Sequence, residues 1–217
     1  MQTIITCQAI LFDLDGTLVD SMAMIQRLWE WWAQRRGIAF DAILKTAIGR
    51  PAVETIRIAA PHLRAEDEIE ELETEEIRDM TDVLLIPGAL DFIAGLDSAP
   101  WAIVTSGSRR VAEARINHVG LPMPRVLITG DQVVHGKPHP DAYLLAAERL
   151  GVTPDQCVVL EDAPVGIQAA KSAGMRVVAI ASTHAADGLQ GADALIDSLA
   201  EIEVHPDKDQ IVLNFGR

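Results

Sequence analysis

The sequence predicts an α/β protein with a parallel sheet between layers of helices and an all-helical insert after the first strand. Two observations support this prediction. Short apolar runs alternate with helical patterns from residue 86 onward, whereas residues 19–85 show helical periodicity alone. Strands that alternate with helices of this length are typical of βαβ units. We therefore expect residues 1–18 and 86–217 to form the core and residues 19–85 to form a helical cap.

The first elements are an apolar strand and an amphipathic helix. The strand contains the run "AILF", and Asp20 or Ser21 then provides an N-cap for the helix. The apolar stripe of the helix has the i, i+3, i+4, i+7 spacing of one helical face. Its members are Ile25, Leu28, Trp29 and Trp32. Gly37, which follows two arginines, marks the expected end of the helix.

The second part of the insert is an acidic helix, "EDEIEELETEEIRDM". We expect its apolar residues to face a partner helix and its many carboxylates to form a solvated face. The apolar residues of this region are Ile69, Leu72, Ile77, Met80 and Leu84.

The core strands are predicted from five apolar runs, "WAIVTS", "RVLITG", "CVVLED", "MRVVAIA" and "DALI". The helices between them end at Gly120, Gly151 and Gly174. This order is typical of a Rossmann-like sheet, in which ligands bind at the carboxyl ends of the strands. The last segment, "VHPDKDQIVLNF", is expected to add a small strand or hairpin.

Composition excludes several classes of partner. The chain has 217 residues and a formal net charge of −14, which argues against nucleic acid or an anionic membrane as its partner. We recognise neither a signal peptide nor the roughly 18 consecutive apolar residues of a membrane span.

Cys7 and Cys157 lie in apolar strands, so we expect buried free thiols and a cytoplasmic protein. We expect a monomer or weak oligomer.

Charged and hydroxyl side chains follow the predicted strands directly, and a lysine begins the helix of "HGKPHPDAY". In a parallel sheet these side chains should gather at one edge. Carboxylate oxygens are hard ligands that suit Mg²⁺, which binds through a few carboxylates and a substrate phosphate. The residues concerned are Asp13, Asp15, Thr105, Ser106, Lys137, Glu161 and Asp162.

Four segments, "DLDGT", "VTSGS", "GKPHPDAY" and "VVLEDAPVGIQAAKSAGM", occur in the order of the four motifs of the haloacid dehalogenase-like superfamily, which they resemble strongly. The insertion after the first motif is similar to that of the helical-cap subgroup. The residues of the second and third motifs especially resemble those of bacterial sugar phosphatases. The resemblance covers nearly the whole chain and implies that the substrate is a small phosphorylated metabolite.

The resemblance also implies roles for individual residues. Asp13 corresponds to the nucleophile that forms an aspartyl-phosphate, and Asp15 to the general acid and base. Lys137 corresponds to the lysine that stabilises charge on the phosphoryl oxygens and on Asp13. The implied Mg²⁺ ligands are Asp13, the backbone carbonyl of Asp15, and Asp162, with Glu161 acting directly or through water.

The implied phosphate contacts are the hydroxyl of Thr105 or Ser106 and the amide of Gly107. We also expect Arg50 of the cap to reach the substrate. These assignments predict a Mg²⁺-dependent phosphatase acting on a sugar or sugar-alcohol phosphate.

Three other activities are compatible with the same family. A dehalogenase is disfavoured because Asp15 is acidic. A β-phosphoglucomutase is disfavoured because Ile25 and Ala52 stand where that enzyme has a histidine and a phosphate-binding arginine. A non-catalytic metabolite-binding protein would be expected to lack one of the predicted catalytic acids, and all of them are present.

Overall fold

The computed structural model describes residues 4–47, 51–207 and 210–215, with the backbone alone for residues 44–47. The strands are β1 (Ile4–Cys7), β2 (Ala9–Phe12), β3 (Val19–Asp20), β4 (Leu84–Leu85), β5 (Trp101–Val104), β6 (Val126–Ile128), β7 (Cys157–Glu161), β8 (Arg176–Ile180), β9 (Ala194–Ile196), β10 (Ile202–Asp207) and β11 (Gln210–Phe215). The α-helices are α1 (Met22–Arg36), α2 (Phe40–Ala47), α3 (Ala52–Ala59), α4 (Ala65–Arg78), α5 (Ala89–Gly95), α6 (Arg109–His118), α7 (Asp141–Leu150) and α8 (Pro164–Ser172).

The central sheet has the strand order β6-β5-β2-β7-β8-β9, and every neighbouring pair is parallel. The predicted α/β class with a Rossmann-like parallel sheet is confirmed. All four residues of β2 are buried, because helices cover both faces of the sheet and leave no solvated side. Alternate β2 side chains enter different apolar clusters, Ile10 and Phe12 one and Ala9 and Leu11 the other.

The position of β2 determines where the functional loops meet. It lies between β5 and β7, and Phe12 is in register with Ile103 on one side and Leu160 on the other. The segments that follow these three strands therefore leave the sheet at the same edge. This is the edge at which open α/β sheets bind their ligands.

Helices α1–α4 form the insert between β3 and β4, which pair antiparallel. The chain thus enters and leaves the insert at adjacent points. The predicted stripe of α1 packs inward, with Trp32 fully buried and Ile25 partly exposed. The exact division of the core from the cap remains a prediction.

The expectation that the acidic helix has a fully solvated charged face is wrong for part of α4. Glu68 is buried and accepts hydrogen bonds from Trp32 Nε1 at 2.8 Å and Arg36 Nε at 2.7 Å. These partners offset burial and lower the pKa of Glu68. The helix also ends at Arg78, so Leu84 lies beyond it and is largely exposed.

The C-terminal segment forms the antiparallel pair β10 and β11, and β11 also pairs with β1. Cys7 and Cys157 are buried free thiols, as predicted. Burial raises the pKa of Cys7 to about 12 and that of Cys157 to about 11, which makes both thiols unreactive. Among the described helices, none combines the length and apolar character that crossing a membrane requires.

Candidate active site

The loop after β2 places two carboxylates at the middle of the sheet edge. The backbone N–H of Asp13 donates to the carbonyl of Leu160 at 3.0 Å, which extends the β2–β7 register into the loop. Gly16 then turns the chain with a φ of +87°, a conformation that strains any residue with a Cβ. A Cβ at Gly16 would also lie 2.2 Å from Asp162 Oδ2, so the loop and the end of β7 approach closely only because this residue is glycine.

Three buried carboxylates form an acidic cluster at this edge. Asp13, Glu161 and Asp162 each offer an oxygen, and these oxygens lie within 4.8 Å of one another. Burial raises the pKa of Asp13 well above its ordinary value, although Lys137 opposes the rise. Burial and the neighbouring Glu161 raise the pKa of Asp162 to about 7. A cluster of this kind holds its charges only with a cation among them.

Lys137 supplies one such cation. Its Nζ donates to Asp13 Oδ1 at 2.5 Å, to Glu161 Oε1 at 2.6 Å and to the carbonyl of Val104 at 3.2 Å. The side chain is 3% exposed. Burial disfavours the charge of Lys137, but Asp13 and Glu161 outweigh this effect and raise its pKa well above the ordinary value.

Glu161 is held on both of its oxygens. Oε1 accepts from Lys137 and from the hydroxyl of Tyr143 at 2.9 Å, and Oε2 accepts from the backbone N–H groups of Asp162 and Ala163 at 3.0 Å. A Cβ on Gly166 would lie 1.7 Å from Oε1, so α8 leaves room for this carboxylate only by having glycine there. The contacts make Glu161 a support for Lys137 and for the turn after β7.

Tyr143 was not singled out as a site residue by the sequence analysis. It lies on α7, is fully buried, and has its ring centroid 5.1 Å from Lys137 Nζ. Its position at the end of "GKPHPDAY" is the signal that links it to Lys137.

Asp15 lies outside the acidic cluster defined above and has its own partners. Its Oδ1 accepts from Ser21 Oγ at 2.6 Å, and its Oδ2 accepts from Arg115 Nη1 at 2.6 Å. Arg115 also binds Glu76 of α4 through Nη2. Burial disfavours the charge of Arg115, but Asp15 and Glu76 outweigh it and raise the pKa of the guanidinium.

Lys137 was the one cation predicted for this sheet edge, and Arg115 was not predicted. The usable signal is its helical spacing. Arg115 falls four residues after Val111 and three after Ala112, on the face of α6 that is buried. A charged residue at a position that the pattern marks as buried requires a partner of opposite charge.

The predicted phosphate loop follows β5. Thr105 is buried, and its Oγ1 accepts from the backbone N–H of Gly107 at 3.1 Å. The predicted phosphate donor at Gly107 is therefore turned toward Thr105 in this structure. Ser108, rather than Thr105 or Ser106, caps α6 by accepting from Val111 N–H at 3.4 Å.

A cavity of about 260 Å³ separates the sheet edge from the insert. Its floor contains every predicted site residue except Arg50, which lies outside the described residues. The floor residues are Asp13, Asp15, Thr105, Ser106, Gly107, Lys137, Glu161 and Asp162. The roof includes Met22, Ile25, Leu28, Trp29, Ala52, Val53, Ile69, Leu72, Glu73 and Glu76.

Comparisons with known proteins agree with this architecture. Hexitol phosphatase A of Escherichia coli is 42% identical over 95% of this chain and 99% of its own length. Validoxylamine A 7'-phosphate phosphatase of Streptomyces hygroscopicus is 38% identical over 88% of this chain and 94% of its own. The crystal structure of CbbY from Rhodobacter sphaeroides in complex with phosphate has a TM-score of 0.79 at 30% identity, over 90% of this chain and 96% of that one.

The model of one protein family, described as haloacid dehalogenase-like hydrolase, matches residues 7–174. This range includes β2 with its two aspartates, the loop after β5, Lys137 and the acids that end β7. The chain belongs to the haloacid dehalogenase-like hydrolase family.

Proposed function

We propose that this protein is a Mg²⁺-dependent phosphatase that hydrolyses a small phosphomonoester, a sugar or sugar-alcohol phosphate, through an aspartyl-phosphate on Asp13. The observation that carries the proposal is the buried floor of the cavity. There Lys137 binds one oxygen of Asp13 while Asp162 lies close enough to share a cation with it. The names of hexitol phosphatase A and of its phosphatase relatives support the same activity.

The residues present fit a magnesium ion. Asp13 and Asp162 offer hard, buried carboxylate oxygens, and the backbone carbonyl of Asp15 would complete the set of protein ligands. Each oxygen of Glu161 already accepts two hydrogen bonds, so its part in the site is to hold Lys137, with at most an indirect contact to the ion. When bound, Mg²⁺ supplies the positive charge that lets an anionic phosphate approach a carboxylate.

The chain's own groups would carry out two displacements at phosphorus. Asp13 forms a bond to phosphorus while the ester bond to the organic group breaks, and Asp15 gives its proton to the departing oxygen. Water then attacks the aspartyl-phosphate, Asp15 takes a proton from it, and inorganic phosphate leaves with Asp13 restored. Lys137 stabilises the negative charge on Asp13 and the phosphoryl oxygens in both steps.

The residues that line the roof favour a small organic leaving group. Its walls are mostly apolar, with Glu73 as a carboxylate that can accept hydrogen bonds from substrate hydroxyls. Ile25 and Ala52 both line this roof, where a phosphomutase would have to bind a second phosphate. These two apolar groups disfavour the mutase alternative. The proposed substrate contact by Arg50 remains a prediction.

Three other expectations remain proposals. The buried free thiols support a cytoplasmic location, because reduced cysteines are typical of that compartment. The net charge of −14 supports a small metabolite, rather than nucleic acid or a membrane, as the partner. The monomeric or weakly oligomeric state is the third and also remains a prediction.

The test is phosphate release from sugar, polyol and glycerol phosphates, with Mg²⁺ and with EDTA. We expect turnover that requires the metal and that is abolished in Asp13→Asn. Asp91→Asn is the matched control, since Asp91 is exposed on α5. Binding of these compounds without turnover by the unmodified protein would support the non-catalytic alternative.

The same assay separates phosphatase from mutase. With glucose 1-phosphate as substrate, a phosphatase releases phosphate, whereas a mutase accumulates glucose 6-phosphate. Formation of the isomer without release of phosphate would overturn the proposal.

A further inference from the structure

Arg115 connects the floor of the cavity to its roof. It lies on α6 of the core, and its two terminal nitrogens bind carboxylates from different parts of the chain, Asp15 after β2 and Glu76 on α4. The side chain is 4% exposed, and its Nε has no partner among the described residues. Its guanidinium charge is therefore balanced by these two carboxylates alone among the ion pairs described.

Burial of these three charged side chains costs desolvation free energy, which their ion pairs offset. Loss of the buried guanidinium would leave two carboxylates without their cation, and loss of either carboxylate would leave a guanidinium N–H group without its acceptor. Arginine suits the position because its planar fork presents two N–H groups in fixed directions, which a lysine ammonium does not. The orientation of Asp15 is thereby tied to Arg115, and that of Arg115 to Glu76.

Asp15 itself has little freedom in this setting. Ser21 Oγ binds one oxygen and Arg115 binds the other, both at 2.6 Å, so the plane of the carboxylate is determined from two sides. Both Asp15 and Arg115 line the cavity in which Asp13 lies. The carboxylate that Arg115 and Ser21 hold therefore faces the same cavity as Asp13.

We propose that Arg115 is a positioning residue that holds Asp15 for proton transfer to the leaving group, and that Glu76 of the insert fixes Arg115 in that position. The inference rests on the proposed function, because it concerns the step assigned there to Asp15. In this arrangement a residue of the insert, without touching the reacting atoms, affects the proton donor of the core.

The test compares phenyl phosphate with p-nitrophenyl phosphate, two esters whose leaving groups differ in their need for protonation. Phenolate is about as basic as the tyrosine side chain, with a pKa of about 10, and leaves poorly without protonation. The p-nitrophenolate ion is much less basic and leaves without a proton. The ratio of kcat/KM for p-nitrophenyl phosphate to that for phenyl phosphate therefore reports on proton donation.

We expect Arg115→Met to raise this ratio about tenfold, because proton donation contributes a large factor only to the phenyl ester. Arg115→Lys should raise it less, and Glu76→Gln about threefold, since the neutral amide still accepts a hydrogen bond but balances no charge. Arg109→Met is the matched control on the same helix. Its side chain is 43% exposed, and we expect the ratio to stay at the wild-type value.

The ratio is insensitive to partial misfolding, because loss of folded enzyme lowers both values of kcat/KM equally. An unchanged ratio in Arg115→Met, or faster cleavage of phenyl phosphate, would overturn the inference and leave the phosphatase proposal intact. Cleavage of p-nitrophenyl phosphate alone by the wild type would also overturn it, since proton donation would then be absent. If the wild type releases phosphate neither from these esters nor from the sugar, polyol and glycerol phosphates, the proposed function itself fails.

Discussion

The floor and the roof of the cavity are built in different ways. On the floor, charged groups are held by short hydrogen bonds and ion pairs, as with Lys137 between Asp13 and Glu161. The roof is made of helix faces whose side chains are mostly apolar, such as Ile25 and Val53. Under the proposed function, the floor would perform the reaction on phosphate and the roof would select the group attached to it.

The floor and the roof differ because strand ends carry the floor residues and helices carry the roof residues. Floor residues follow neighbouring strands whose positions are set by a ladder of backbone hydrogen bonds. Roof residues depend on side-chain packing between helices, which tolerates changes of shape more readily. Changes to the floor should therefore reduce catalysis with every substrate, and changes to the roof should alter the choice among substrates.

The largest effect is expected for Lys137→Met. Loss of this buried ammonium removes the charge that is proposed to stabilise the transition state, and it leaves Asp13 and Glu161 without their partner. We expect kcat to fall about 10³-fold with all substrates, as for loss of a strong electrostatic contact. Steady-state kinetics on a panel of phosphate esters will measure it, with circular dichroism to verify folding. A fall confined to one substrate would contradict the division between floor and roof.

A second prediction compares two glycines with positive φ. Gly16→Ala should destabilise the protein by more than about 3 kcal/mol, because the new Cβ meets Asp162 as well as straining the backbone. Gly151→Ala should cost about 1 kcal/mol, since its φ is +72° and its surroundings are open. Urea unfolding measures both. Equal losses of unfolding free energy in the two variants would show that the close approach of the loop to β7 does not contribute to stability.

A third prediction concerns the pH dependence of metal binding on the floor. Burial and Glu161 raise the pKa of Asp162 to about 7, so this carboxyl retains its proton in mildly acidic solution. Mg²⁺ must displace that proton, so its affinity should fall as the pH drops below this pKa. Isothermal titration calorimetry at about pH 6 and about pH 8 measures this. A constant Kd across this range would contradict the prediction.

The smallest effect is expected on the roof. Val53→Ala enlarges the cavity beside the leaving group without touching the floor. We expect kcat/KM for different sugar phosphates to change relative to one another by about tenfold or less, a typical effect of removing methyl groups from a pocket wall. The value for p-nitrophenyl phosphate should change least. A uniform loss of kcat would indicate that the roof also takes part in the reaction.

The contacts of Arg115, Glu76 and Glu68 could not be predicted from the sequence. Asp15 and Arg115 are 100 residues apart, and Arg115 and Glu76 are 39 residues apart. The periodicity of α4 correctly indicates a helix, but it does not distinguish Glu68 and Glu76, which have buried partners, from carboxylates on the solvated face. Which carboxylate meets which cation depends on how the insert packs, and no local pattern records that.

The sequence by itself determined the α/β class, the family and the gathering of Asp13, Lys137 and Asp162 at one sheet edge, because parallel strands bring their carboxyl ends together wherever they occur in the chain. Only the tertiary structure decided that Glu161 and Tyr143 hold Lys137, and that Arg115 joins Asp15 to Glu76. These pairings depend on the packing of helices against the sheet. That packing is set by the shape of the whole core and not by the spacing of residues within any one segment.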